Sequence, residues 1–459
     1  MQHQNTHSET PNIAPEHQHL GLNKNVMFGL QHVLTMYGGI IAPPLIIGAA
    51  AGLAPAEIGL LIAAALFVGG LATVLQTIGF KYFGAKLPIV QGVSFAGVAT
   101  ILAILSTGGG LPTVYGAVIA ASLIGLAIAP FFSRIIRFFP PVVTGCVITM
   151  IGISLTPVAI RWIMGGNPKA ENWGDPANVG LAALTLAIVL IFSMLRSVIL
   201  RRLAILVAIV LGTLFAWGMG FTDFSKVAAG PVFAVPNLFH FGLPVFEVTA
   251  ILSMLIVTLV IMTETTADII ALGEIVGTPV DAKRIGDGIR ADMLSSAISP
   301  LFGSFSQSAF AQNVGLVAIT GVKSRFVVAT AGGILIVLGL LPIVGRLVAS
   351  IPMPVLGGAG IVLFGTVAAS GIRTLAKVDY SENTNLIIVA TSLAIGMIPI
   401  VNQEFYAQFP TWVKTLLHSG ISSTCISAIL LNLLFNHLPR ARPQLGLDPV
   451  ASETKHTPS

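Results

Sequence analysis

The chain has 459 residues, of which 55% are hydrophobic and only 9% are charged. An average soluble domain carries about 25% charged residues, so this composition excludes an ordinary soluble enzyme. A single membrane anchor needs only about 20 apolar residues. So much apolar sequence therefore predicts many crossings of a bilayer.

Apolar stretches separated by glycines, prolines and charges predict about fourteen membrane segments. Basic residues test this division, because they accumulate on the cytoplasmic side of membrane proteins. With the N-terminus inside, all but five of the 23 basic residues fall on the inner side. The exceptions are Arg161, Lys169, Lys226, Arg346 and Lys414. We predict a multi-pass protein of the cell inner (plasma) membrane with cytoplasmic termini, including a disordered tail over 1–23 and a second tail over 439–459.

The first and third segments carry polar residues inside apolar sequence. Segment one contains Gln31 next to His32, and for His32 we favour packing and a hydrogen bond over proton transfer. Segment three, over 88–107, begins at a proline and includes Gln91 and Ser94. This composition predicts an extended stretch that runs into a short helix.

Segments eight and nine carry carboxylates where the bilayer penalises charge. A buried membrane acid costs several kcal/mol unless it is paired or hydrated, and is a functional candidate by default. Glu264 and Asp268 in segment eight are four residues apart and share one helix face. Asp292 in segment nine lies near Arg290. For Asp268 and Asp292, an open alternative is a structural role in which the carboxylate caps backbone amides of a broken helix. For Asp292, an ion pair with Arg290 is a further alternative.

Segment ten, over 306–322, matches segment three in composition and position. It is short and carries Gln307, Gln312 and Asn313. Each is the third segment of a seven-segment half, and an odd number of crossings gives the two halves opposite orientations. Short or glycine-interrupted segments in matching positions indicate the binding site of a transporter with inverted repeats. The alternative is that the glycines only permit close helix packing.

These residues predict a pocket with acids, amide side chains and half-helix ends. A planar heterocycle whose edge alternates N–H and C=O groups would satisfy them. Glutamate accepts from ring N–H groups, and a glutamine carboxamide makes a two-point contact. Phe95 in segment three offers a stacking face, although a lone phenylalanine is equally well a packing residue.

Three motifs resemble those of the nucleobase–ascorbate transporter family. The run QNVGLVAITG, from Gln312 to Gly321, resembles the family signature Gln/Glu-Asn-x-Gly-x4-Thr-Arg/Lys/Gly at every specified position. ETTADIIALGE in segment eight and QH in segment one are similar to the family's other signatures and occur in the expected order. The resemblance extends from about Asn25 to Leu438.

The resemblance implies an all-α polytopic fold with two inverted seven-segment repeats and broken segments three and ten. It also implies a core domain, formed by segments 1–4 (24–133) and 8–11 (247–349). Segments 5–7 (140–221) and 12–14 (354–436) would form a gate domain. Dimerisation through this gate domain is a further implication of the family.

The resemblance also assigns roles to residues. Glu264 and Gln312 match the two main substrate-binding side chains, while Phe95 and the adjacent segment-three backbone match stacking and main-chain contacts. We therefore expect a substrate site formed by Glu264, Gln312, Phe95, Ser94 and Asn313. The residues expected to act in proton coupling or affinity are Asp268, Asp292 and His32.

The Gln at position 312 bears on the substrate. Uracil-type members resemble one another in having Glu there, whereas Gln312 with ETTAD is similar to the bacterial branch that takes xanthine or uric acid. Val314 stands where many xanthine carriers have Asn. The choice between xanthine and uric acid therefore stays open.

The expected function is import of an oxidised purine by an elevator-like motion, with the proton as coupling ion and no other cofactor or metal. A uracil permease of the same family is one alternative. An anion transporter or channel with a related inverted-repeat fold is another, although it should place basic or hydroxyl groups where this chain has Glu264. A membrane-embedded enzyme is disfavoured, because the sequence shows no nucleophile–base or metal-ligand cluster.

Overall fold

The computed structural model describes residues 14–132, 136–225, 227–228, 230–402 and 404–437. The helices of the first half are α1 (Leu22–Ala50), α2 (Pro55–Ile78), α3 (Phe95–Ser106), α4 (Leu111–Ile128), α5 (Pro141–Ile163), α6 (Pro176–Met194), α7 (Val198–Arg202) and α8 (Ala204–Gly218). A three-residue strand, β1 (Gln91–Val93), precedes α3.

The second half has a similar order of elements. Its helices are α9 (Val248–Val276), α10 (Ala282–Ile298), α11 (Ala311–Thr320), α12 (Arg325–Gly339), α13 (Pro342–Ala349), α14 (Met353–Leu375), α15 (Asn383–Val401), α16 (Thr411–Leu417) and α17 (Gly420–Asn432). The strand β2 (Gln307–Ala309) precedes α11 as β1 precedes α3. Single helical turns lie at Pro15–His17, Ala129–Phe131, Ile136–Phe138, Ser299–Phe302 and Leu433–His437.

Helices dominate because a bilayer offers the backbone no hydrogen-bond partners, so each span must satisfy its own N–H and C=O groups. Nine of the described helices are long and apolar enough to cross a membrane, and the pair α12 and α13, bent by 78°, allows a tenth crossing. Other predicted segments coincide with the shorter apolar helices α3, α8 and α11. The predicted polytopic helical architecture is confirmed, whereas the count of about fourteen segments stays a prediction.

Segments three and ten are each a short strand followed by a short helix, as predicted. The two strands pair antiparallel, with Gln91 opposite Ala309 and Val93 opposite Gln307. Ser94 is the N-cap of α3, and its Oγ accepts from the backbone N–H of Ala96 at 3.2 Å. The strands satisfy each other's backbone groups, which permits non-helical backbone inside the protein.

The helices pack as two groups. In one, α2 lies against α1, α12 and α13, while α4 lies against α9 and α10; in the other, α14 lies along α5 and α6, and α17 contacts α5 and α15. Glycines bring α5 and α14 together, since a Cβ at Gly152 would lie 2.3 Å from the backbone N of Ala368. The division into core and gate domains, and their movement against each other, stay predictions.

The residues immediately before α1 differ from the predicted disordered tail. Pro15–His17 forms a helical turn, and the Glu16 carboxylate accepts from Arg284 at 3.0 Å and from Thr278 at 2.8 Å. The ring of His19 stacks on Phe326 with centroids 3.9 Å apart. Residues 14–21 are therefore ordered against the helical body. The rest of this predicted tail, 1–13, and the C-terminal tail, 439–459, lie outside the described residues.

Candidate functional site

The half-helices α3 and α11 begin at opposite ends of the antiparallel pair β1 and β2, which we call the crossed strands. The backbone N–H of Ser94 donates to Ser306 O at 2.8 Å, and that of Phe310 donates to Val90 O at 3.0 Å. Phe310 also contacts Gly39 and Gly92, where any Cβ would lie within 2.8 Å of its ring. The positive N-terminal ends of two helices thus lie beside one strand pair, an arrangement suited to binding polar ligands.

Glu264 and Asp268 lie one turn apart on α9 and are both half-buried. Between them, the buried Thr265 hydroxyl donates to Asp292 at 2.5 Å and accepts from the backbone N–H of Ala309 at 3.4 Å. The structure therefore brings the three predicted acids and β2 into one neighbourhood.

Asp292 has a different partner from the one considered in the sequence. Its carboxylate is 1% exposed and accepts from Gln76 Nε2 at 2.6 Å as well as from Thr265. Arg290 instead forms an ion pair with Asp287. The possible Arg290 pair with Asp292 is thus corrected: these residues are two apart on a helix and point in different directions.

His32 and Asn313 form a contact between α1 and α11. The Asn313 side-chain amide donates to His32 Nδ1 and to the His32 backbone oxygen, both at 3.0 Å. Both side chains are buried. A neutral His32 with its proton on Nε2 satisfies this contact, because Nδ1 is then an acceptor. The Asn313 side chain therefore ties the first turn of the half-helix α11 to α1.

Gln312 and Phe95 lie at the beginnings of the two half-helices. Gln312 is exposed, while Phe95 is half-buried and packs edge-on to Phe364 of α14, with centroids 6.2 Å apart. Among the residues that the structure describes, the side chains of Glu264, Asp268 and Gln312 have no hydrogen-bond partner in the protein. Their polar groups remain available to a ligand or water.

Sequence reasoning missed two buried residues of α2. Gln76 binds Asp292, and the Thr73 hydroxyl accepts from the backbone N–H of Gln91 at 2.9 Å. Both side chains are completely buried. An isolated Gln inside apolar segment two was the available signal for Gln76, because a membrane-buried amide needs partners. Threonine gives no such signal, since its hydroxyl can bond within its own helix.

A model of a permease family named for xanthine and uric acid permeases matches residues 23–405, most of the chain. The chain belongs to the nucleobase–ascorbate transporter family. Members of this family are permeases, so the protein is a multi-pass membrane transporter and not an enzyme.

Curated members of the nucleobase–ascorbate transporter family cover nearly the same length. The uric acid transporter UacT of Escherichia coli (strain K12) is 41% identical, over 91% of this chain and 87% of its own. The xanthine permease of Bacillus subtilis (strain 168) is 37% identical, over 92% of this chain and 96% of its own.

A solved structure supports the fold assignment. The transmembrane domain of the cyanobacterial bicarbonate transporter BicA superposes with a TM-score of 0.60 at 17% identity, over 89% of this chain and 98% of its own. At this identity the likeness shows the inverted-repeat fold alone.

Proposed function

We propose that this protein is a proton-coupled symporter that imports an oxidised purine, xanthine or uric acid, across the cell inner membrane. The observation that carries the proposal is the pair Glu264 and Gln312, whose side chains have no protein partner among the described residues. They belong to elements that meet at the crossed strands. The names of the relatives, a uric acid transporter and a xanthine permease, support this class of substrate.

The proposed recognition follows from hydrogen-bonding capacity. Glu264 accepts from purine N–H groups, and the Gln312 carboxamide makes a two-point contact with an adjacent C=O/N–H edge. The ring of Phe95 stacks on the heterocycle, and Ser94 with its neighbours supplies main-chain contacts. Asn313 takes part by fixing the position of α11 through His32.

The proposed coupling uses the closeness of three acids. Glu264 and Asp268 flank Thr265, whose hydroxyl holds Asp292, so a proton on one carboxyl relieves repulsion among the three. Gln76 and Thr265 already supply two donors to Asp292. In this proposal a proton enters with the purine from outside, and both leave inside.

The proposed motion carries the site past the gate helices. Support comes from the packing of the helices into two groups, with the predicted site residues in the group of α1 to α4 and α9 to α13. Both termini would be cytoplasmic, as the distribution of basic residues predicts. A homodimer through the gate helices is included in the proposal.

Transport by purified protein in proteoliposomes tests this function. Radiolabelled xanthine and urate should accumulate in response to an inward proton gradient, and a protonophore should abolish accumulation. Competition by guanine and uracil would separate a purine carrier from the uracil alternative.

Glu264→Gln should abolish purine binding, because a carboxamide cannot replace the anionic acceptor. The control Glu274→Gln alters an exposed acid of the same helix. Undiminished affinity after Glu264→Gln would refute the site assignment.

A further inference from the structure

Arg202, at the end of α7, contacts the half-helix that carries Gln312. Its Nη2 donates to the backbone oxygen of Gly315 at 2.8 Å, and its Nη1 donates to that of Gln312 at 3.5 Å. The guanidinium is half-buried. Two carbonyls three residues apart suit the planar fork of an arginine better than the single ammonium of a lysine.

This contact joins the two groups of helices. α7 leads directly into α8, a predicted gate helix, whereas α11 belongs to the predicted core. From the crossed strands α11 runs towards Lys323 and Arg325, which the charge distribution assigns to the cytoplasmic side. Arg202 therefore binds the inner half of the interface between core and gate.

A matching contact lies in the other half of the interface. The Thr100 hydroxyl on α3 is 3.0 Å from that of Ser419, the N-cap of α17, and both residues are buried. In each case the half-helix of a third segment contacts the broken seventh segment of the opposite repeat. The predicted topology puts Thr100 on the outer half. The two contacts thus connect predicted core and gate helices on opposite sides of the crossed strands.

We infer that Arg202 is a positioning residue that closes the inner path from the site: its bonds to α11 hold the half-helix against the gate and must break before cargo is released inside. The inference rests on the proposed function for the orientation in the membrane, for the movement of core against gate and for the nature of that cargo. Because the guanidinium is half-buried, water can replace the carbonyls when the contact opens. Replacing such charged hydrogen bonds by bonds to water costs only a modest net free energy.

Access to α11 from the cytoplasmic side tests this role. Ala311 is exposed and lies four residues before Gly315 on the same helix face. An Ala311→Cys reporter can be labelled with a membrane-impermeant maleimide in inside-out vesicles, since the native Cys146 and Cys425 are buried. Adding Arg202→Ala should raise the labelling rate about tenfold, the scale of one or two lost charged hydrogen bonds.

Arg201 provides a matched control. It lies next to Arg202 and is exposed, so Arg201→Ala removes the same charge and should leave the labelling rate unchanged. Arg202→Lys keeps the charge without the fork and should give an intermediate rate. Purine affinity should stay within about twofold in the Arg202 variants, while the transport rate changes.

Equal labelling rates for Arg202→Ala and Arg201→Ala would overturn the inference. If Arg202→Ala does not yield a monodisperse protein, Arg202→Lys is measured instead. A labelling rate for Arg202→Lys equal to that of the protein carrying Ala311→Cys alone would then overturn the inference. Labelling requires no purine. A parent protein that binds neither xanthine nor urate would refute the proposed function, and the labelling rates would still decide the role of Arg202.

Discussion

Gln76 donates its side-chain amide to the Asp292 carboxylate at 2.6 Å, joining α2 to α10. The same amide donates to Gly288 O at 2.9 Å, and its oxygen accepts from the backbone N–H of Ala85 at 2.8 Å. One neutral side chain thus fixes a membrane acid and the chain entering β1. The predicted repeats are connected at this point by a fully bonded, buried network.

Replacing Gln76 with Leu should lower the free energy of unfolding by about 2–4 kcal/mol, because buried polar groups lose their partners. Thermal unfolding of the purified protein in detergent measures this effect. Thr77→Val is the control, since the buried Thr77 hydroxyl bonds only within α2. Its expected cost is about 1 kcal/mol. Equal losses for both variants would contradict the bridging role of Gln76.

Asn313→Ala should destabilise the protein by about 1–3 kcal/mol, because His32 Nδ1 and the His32 backbone oxygen lose a buried donor. Purine affinity should fall as well, since α11 loses its support behind Gln312. Unfolding and equilibrium binding measure the two effects. Thr320→Ala at the inner end of α11 removes the bonds that the hydroxyl makes to Leu316 O and accepts from the backbone N–H of Val322. It leaves the His32–Asn313 contact intact and should leave affinity unchanged. An Asn313→Ala variant with intact affinity would show that α11 needs no such support.

Phe95→Ala should weaken purine binding about tenfold, the loss expected from removing an aromatic stacking contact. Phe95→Tyr keeps the ring and should retain most of the affinity. Titration of purified protein with xanthine and urate measures both variants. If Phe95→Ala bound as tightly as the parent protein, Phe95 would be a packing residue against Phe364, the alternative left open by the sequence.

Glu16 should stabilise the docked N-terminal segment in a pH-dependent way. Burial raises the pKa of its carboxyl, but hydrogen bonds from its own backbone, Thr278 and Arg284, together with the Arg284 charge, outweigh this and hold the pKa below 4.5. A lowered folded-state pKa means that the charged form favours docking. The stabilisation is therefore complete above pH 4.5 and is lost as the pH falls through the folded-state value.

Hydrogen exchange of residues 14–21 measures this docking. Glu16→Gln should increase exchange at neutral pH and remove its acid dependence, while Glu57→Gln, in the first turn of α2, should change neither. Unchanged exchange in Glu16→Gln would show that the His19–Phe326 stack suffices to hold the segment.

The sequence predicted the broken segments because their composition is incompatible with a continuous apolar helix. Gln307 and Gln312 mark segment ten, and Gln91 with Ser94 marks segment three. It also predicted the grouping of Glu264 with Asp268, which follows from helical periodicity alone. The partners of Asp292 and the order of residues 14–21 could not be predicted, since Gln76 and Arg284 come from sequence-distant helices.

Composition and the spacing of charges thus determined that this chain crosses a bilayer many times, because apolar length and basic flanks are local properties. Family motifs added the expected purine site. Tertiary structure alone decided that Gln76 holds Asp292, that Asn313 supports α11 through His32, and that Arg202 binds the half-helix carbonyls. The physical reason is that buried polar groups take whichever partner the packing of distant helices supplies.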